Sequence, residues 1–101
     1  MFSVYILLSQ KSGKYYIGHS EDVGRRLMEH NNPNNSSYTS KHQPWELKAS
    51  FEVGNKRGDA MKVEKYIKSQ KSRKFTQQIV ENIGNHEFMT KLLLWAKTIK
   101  R

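Results

Sequence analysis

Hydrophobic and polar positions divide the chain into seven segments. "FSVYILLS" (2–9) is apolar on both alternating faces, as in a strand covered on both sides. "KSGK" (11–14) is a turn, and "KYYIGH" (14–19) reads as the second strand of a hairpin. Ser20 can then cap a helix, with Glu21 and Asp22 in its first turn and Val23 and Leu27 on one side. Gly24 costs that helix about 1 kcal/mol relative to Ala, which suggests close packing there. "NNPNNSS" (31–37) is a loop, and "PWELKASFEV" (44–53) alternates as a third strand with Pro44 at its start.

After the turn "GNKRG" (54–58), Asp59 caps a helix over 59–70 whose buried stripe is Ala60, Val63 and Ile67. A basic break, "KSRK" (71–74), precedes a shorter helix with Phe75, Ile79 and Ile83, ended by Gly84. Asn85 caps a last helix, 85–99, with Phe88, Leu92, Trp95 and Ile99 along its apolar line. The order β-β-α-β-α-α-α describes an α+β fold, a three-stranded antiparallel sheet flanked by helices. A length of 101 residues without repeat or linker suits a single domain spanning 1–101.

Composition sharpens this picture at two points. The chain has no cysteine, which excludes disulfides and thiolate metal sites and agrees with a cytoplasmic location. Its N-terminal apolar run has no charged leader and is too short to span a bilayer, so no membrane role is expected. Charge is the second point: the net charge is +9. Residues 1–55 hold six basic and five acidic side chains, and residues 56–101 hold twelve and four. Such an asymmetry favours a polyanionic partner, nucleic acid ahead of an anionic membrane.

The stretch "YYIGHSEDVGRRLMEH" (15–30) sets two phenols, a glycine, an arginine and a histidine close together. With "VYI" at 4–6, "YIG" at 16–18, "RRLMEHN" at 25–31, "PW" at 44–45 and Glu64 within "AMKVEKYIKSQKSRK" (60–74), the chain resembles the GIY-YIG nuclease superfamily. It is most similar in pattern to small single-domain members, YhbQ-like proteins among them. The resemblance covers about residues 2–80, leaving the 85–99 helix as an addition. The first motif carries Val4 where the name motif has glycine, but its tyrosine, Tyr5, is present.

The resemblance implies a metal-dependent endonuclease acting on DNA, with structured or branched DNA among its candidate substrates. It implies that Tyr5, Tyr16, Arg26 and Glu64 line one site, that His30 matches a histidine found in many members, and that His19 takes a position often held by a polar residue. The chemistry is coherent. Glu64 is a hard oxygen ligand suited to one Mg²⁺, with Mn²⁺ as an alternative, and one carboxylate is too few for a dedicated two-metal site. Arg26 can fork onto phosphate oxygens. A phenol is a poor base unless its pKa is lowered, and Tyr5 with His30 could relay a proton.

Each residue also has a plain structural reading. Tyr5 and Tyr16 could be core phenols, Arg26 and His30 neighbours on a solvated face, and Glu64 and Lys68 an i, i+4 surface pair. Helical geometry weakens the last, because Glu64 falls about 65° from the centre of the Ala60, Val63 and Ile67 stripe, at the edge of the buried face. Lys68, Lys71, Arg73 and Lys74 form a backbone-binding patch on one reading and a solvated helix face on the other. Thr39, Lys41 and His42 either approach the site or belong to a solvated loop, and Trp45 and Trp95 read as core. Two competing functions remain at this stage: a non-catalytic nucleic-acid-binding module, and a subunit whose site needs a protein partner for specificity.

Overall fold

A computed structural model describes residues 1–35 and 37–98. Its elements are β1 (Phe2–Ser9), β2 (Tyr15–Ser20), α1 (Val23–His30), a 3₁₀ turn (Tyr38–His42), β3 (Trp45–Gly54), α2 (Arg57–Ser69), α3 (Arg73–Glu81) and α4 (His86–Thr98). The expected α+β order holds, and the 3₁₀ turn is an addition. The sheet order is β2-β1-β3, antiparallel throughout. The two-faced apolar pattern of 2–9 thus belongs to the central strand, where Val4, Tyr5, Ile6 and Leu7 are all buried.

Alternation along β1 sends side chains to two different layers. Val4 and Ile6 join Ile17, Ala49, Val63, Ile67, Ile79 and Leu92 in the main core, beneath α2, α3 and α4. Tyr5 and Leu7 join Trp45 on the other face, with Tyr16, Val23 and Leu27 packed against them. One helix, α1, thus covers the face that carries the two motif tyrosines. The buried stripe of α2 is Ala60, Val63 and Ile67, as its spacing predicts.

Several local expectations are corrected. Asp22, not Ser20, caps α1: its carboxylate accepts from the Arg25 N–H at 3.0 Å. Ser20 stays in the sheet opposite Ser3, so the helix starts later and neither Glu21 nor Asp22 lies in its first turn. Gly24 has no tight neighbour; a Cβ there would meet only the Asp22 carboxylate at 3.7 Å. Helix α2 begins before Asp59, with Lys56 in the cap position and Asp59 inside the first turn. Helix α3 is capped by the Ser72 hydroxyl and ends at Glu81, leaving Ile83 exposed. The buried line of α4 is Met89, Leu92 and Ala96, and Asn85 accepts from the Phe88 N–H as a cap should. Trp45 is core, but Trp95 is 60% exposed, and Ile99 lies outside the described residues.

Candidate active site

The hairpin β1–β2 sets Leu7 opposite Tyr16 and Tyr5 opposite Gly18. Tyr5 leans across the glycine. A Cβ added at Gly18 would lie 2.5 Å from the Tyr5 hydroxyl oxygen and 2.6 Å from its Cζ. Only a residue without a side chain admits the phenol there. The ring centroids of Tyr5 and Tyr16 are 6.4 Å apart, and that of His30 is 5.9 Å from the first and 4.8 Å from the second.

His30 closes α1 and is buried against this pair. Its Nε2 is 2.9 Å from the Tyr5 hydroxyl. Burial holds the imidazole below its ordinary pKa, and the Arg26 charge adds to the effect. A neutral ring accepts the phenol's proton at Nε2. Burial likewise pushes the Tyr5 phenol up, with the charges of Tyr16 and Glu64 adding to it, while a hydrogen bond and the charge of Arg26 oppose the shift. Arg26 is therefore placed where a phenolate would be stabilised.

One helical turn along α1, Glu29 holds both arginines: Arg26 Nη1 donates to one carboxylate oxygen at 2.6 Å and Arg25 Nη1 to the other at 2.9 Å. Tyr16, Arg26, Glu29 and His30, together with Asn35, Tyr38 and Thr39, wall a cavity of about 480 Å³. Tyr5 itself is only 1% exposed and reaches this space through His30 and Arg26. Behind the wall, Trp45 Nε1 donates to the Thr39 carbonyl at 2.7 Å, and Asn31 is hydrogen-bonded to both backbone groups of Trp45.

Glu64 arrives from the other side of the sheet. β2 is an edge strand, so α2 can bring a side chain around it. His19 Nδ1 donates to Glu64 Oε1 at 2.6 Å, and Lys68 Nζ donates to Oε2 at 2.6 Å. Lys68 also stands 5.8 Å from the Tyr16 ring centroid, which links the two sides of the edge. The Glu64 side chain is 19% exposed. The plain i, i+4 pair exists, but it is half of a longer chain, His19–Glu64–Lys68.

The donor set suits a weakly caged hard cation. Among the described residues no group of three or more His, Cys, Asp or Glu side chains could hold a metal ion. A single carboxylate fits Mg²⁺ or Mn²⁺ that takes its other ligands from water and phosphate. Lys68 is half-exposed on a flexible stem, so Oε2 can be released at about 0.5 kcal/mol, the worth of such a pair.

The family model for the GIY-YIG catalytic domain matches residues 1–78. The chain belongs to the GIY-YIG family. It is 35% identical over 89 residues to UPF0213 protein BH0048 of Halalkalibacterium halodurans, covering 88% of this chain and 93% of that protein. The solution NMR structure of the same protein, under the organism name Bacillus halodurans, matches with a TM-score of 0.50, covering 91% of this chain and 97% of the other. Membership brings a nuclease-type function and a nucleic-acid partner in general terms, and nucleases of the family are generally divalent-metal dependent. α4 lies beyond the matched catalytic domain. No helix among the described residues is long and apolar enough to cross a membrane.

The basic residues singled out from sequence divide into two groups. Lys68, Lys71 and Arg73 line one groove of about 320 Å³ with Lys14, Tyr15 and Tyr38. Arg73 is fixed across it, its guanidinium 4.7 Å from the Tyr15 ring centroid and Nη1 bonded to the Gly13 carbonyl. Lys41 and Lys74 are exposed and line neither this groove nor the cavity. Of the loop residues, Thr39 reaches the cavity, while His42 packs on Tyr38 and Trp45 and shares a hydrogen bond with Ser12. The close approach at Gly18 had no part in the sequence-based site, although a glycine inside a strand is itself the signal.

Proposed function

We propose that this chain is a metal-dependent endonuclease that hydrolyses phosphodiester bonds in DNA. The buried hydrogen bond between Tyr5 and His30, beside Arg26, carries this reading. A phenol and an imidazole held at 2.9 Å, with a guanidinium opposing the phenol's raised pKa, make a poised proton path. Substrate binding must part the His30–Arg26 wall for the attacking water to reach the buried Tyr5 oxygen; the water then loses its proton there and the phenol's own proton passes to His30 Nε2. The lowered pKa of His30 keeps it neutral, and so able to accept, at ordinary pH. Arg26 stabilises the charge that builds on the phosphate oxygens. Tyr16 lines the cavity and positions the phosphate. Glu64 would hold Mg²⁺ or Mn²⁺, with His19 orienting the carboxylate. The bound ion would supply Lewis-acid stabilisation of phosphate charge. The groove of Lys14, Lys68, Lys71 and Arg73 carries backbone contacts to one side of the reacting phosphate.

A binding module of the same fold would need that groove but not a buried phenol–imidazole pair. The test is incubation with labelled duplex, nicked, flap, branched and single-stranded DNA, and with RNA, in Mg²⁺, Mn²⁺ and EDTA. Metal-dependent cleavage of any DNA supports the proposal, and the preferred form defines the substrate. Binding without cleavage under every condition overturns the enzyme reading. Cleavage only when a second protein is added assigns specificity to that partner.

A further inference from the structure

A second polar cavity, of about 370 Å³, opens beside the first and shares Arg26 with it. Its other lining residues are His19, Ser20, Glu21, Arg25 and Arg57. Three guanidinium groups thus face one small space from two separate elements, α1 and the start of α2. Glu29 engages Arg25 and Arg26 through only one nitrogen each, leaving further N–H groups on both forks. Arg57 forms no ion pair with a carboxylate among the described residues; its guanidinium lies 4.9 Å from the ring centroid of the buried Phe2. A cation–π contact with an anchored ring restrains the guanidinium and reduces the entropy lost when it grips an oxyanion.

We propose that Arg25 and Arg57, beside the shared Arg26, form a second phosphate subsite, which holds the backbone phosphate adjacent to the one acted on at Tyr5. The inference rests on the nuclease reading for its register. Arg26 is common to both cavities, so a strand crossing it presents successive phosphates to the two sides. Arginine suits this task better than lysine because its planar fork grips two phosphate oxygens at once. The enzyme would then require a phosphodiester beside the cut as well as at it, and would discriminate against a strand end placed there.

The test combines Arg57→Gln and Arg57→Lys with labelled DNA carrying a single uncharged methylphosphonate at each linkage around the cut. Wild type should lose about tenfold in kcat/KM when the adjacent linkage is neutral. Arg57→Gln should show a similar loss on normal DNA and almost none further on the neutral-linkage DNA. Arg57→Lys, which keeps the charge and loses the fork, should fall between. Additive losses in Arg57→Gln would overturn the subsite. Thermal melts of both variants exclude misfolding as the cause. If wild type cuts no DNA, the salt dependence of DNA binding takes over as readout. Arg57→Gln should then lower its slope by about one, which keeps the subsite while the nuclease reading fails. An unchanged slope rejects the subsite.

Discussion

Replacing Gly18 with Ala probes the geometry on which the site depends. The added methyl carbon would sit 2.5 Å from the Tyr5 oxygen and 2.6 Å from Cζ. Ordinary van der Waals contact begins near 3.4 Å, so the phenol must withdraw by about 1 Å. It has little room, because Tyr5 is 1% exposed and packed with Leu7 and Trp45. Overpacking of this kind costs about 1–3 kcal/mol. At about 4–8 °C per kcal/mol for a domain of this size, the melting temperature should fall by roughly 5–20 °C. The same movement breaks the 2.9 Å bond to His30. A misplacement of about 1 Å at reacting groups can cost on the order of 10²-fold in turnover. Differential scanning calorimetry and a single-turnover cleavage assay measure the two effects. A Gly18→Ala protein with unchanged melting temperature and unchanged turnover would show that Tyr5 does not lie across Gly18.

Acid should destabilise the fold through His30. Its folded pKa is depressed, so its contribution is fully present above the unfolded value near 6.5 and is lost as pH falls towards the folded value. Melts of wild type and His30→Gln between pH 8 and 5 should therefore converge at the acid end, whereas parallel curves would refute a buried neutral imidazole. Lys14→Ala with Lys71→Ala should weaken DNA binding evenly across sequences and lower the salt slope by about two, as measured by fluorescence anisotropy, if the groove carries the backbone. Trp45→Ala should cost about 3–5 kcal/mol, and Trp95→Ala under about 1 kcal/mol, by urea unfolding.

The fold was legible where pattern and burial coincide. The two-faced apolar run of 2–9 is the central strand, and the spacing of Ala60, Val63 and Ile67 is the inner stripe of α2. Helix starts were less legible, because Ser20 and Asp22 are both good caps and only the pairing of Ser20 with Ser3 decides between them. On α4, spacing alone fits Phe88, Leu92 and Trp95 as well as Met89, Leu92 and Ala96. The inward face is the one with Ala96, a small side chain on a helix that packs on α2, and bulky Trp95 lines an outer apolar groove with Phe75 and Phe88. Tyr5, Tyr16, Arg26 and His30 could be gathered from motif order, since all lie within one hairpin and the helix that follows. The grip of His19 on Glu64 spans 45 positions and exists only because α2 crosses the edge strand, which no local pattern encodes.

Glu64→Gln tests the central claim most directly. The substitution keeps the size of the side chain and removes the charge that would hold the cation. In a labelled-DNA assay with Mg²⁺, beside an anisotropy titration and a melt, the variant should lose cleavage while keeping its fold and binding DNA as tightly as wild type or more so. A wild-type protein that cuts and a Glu64→Gln protein that cuts equally well would contradict the account.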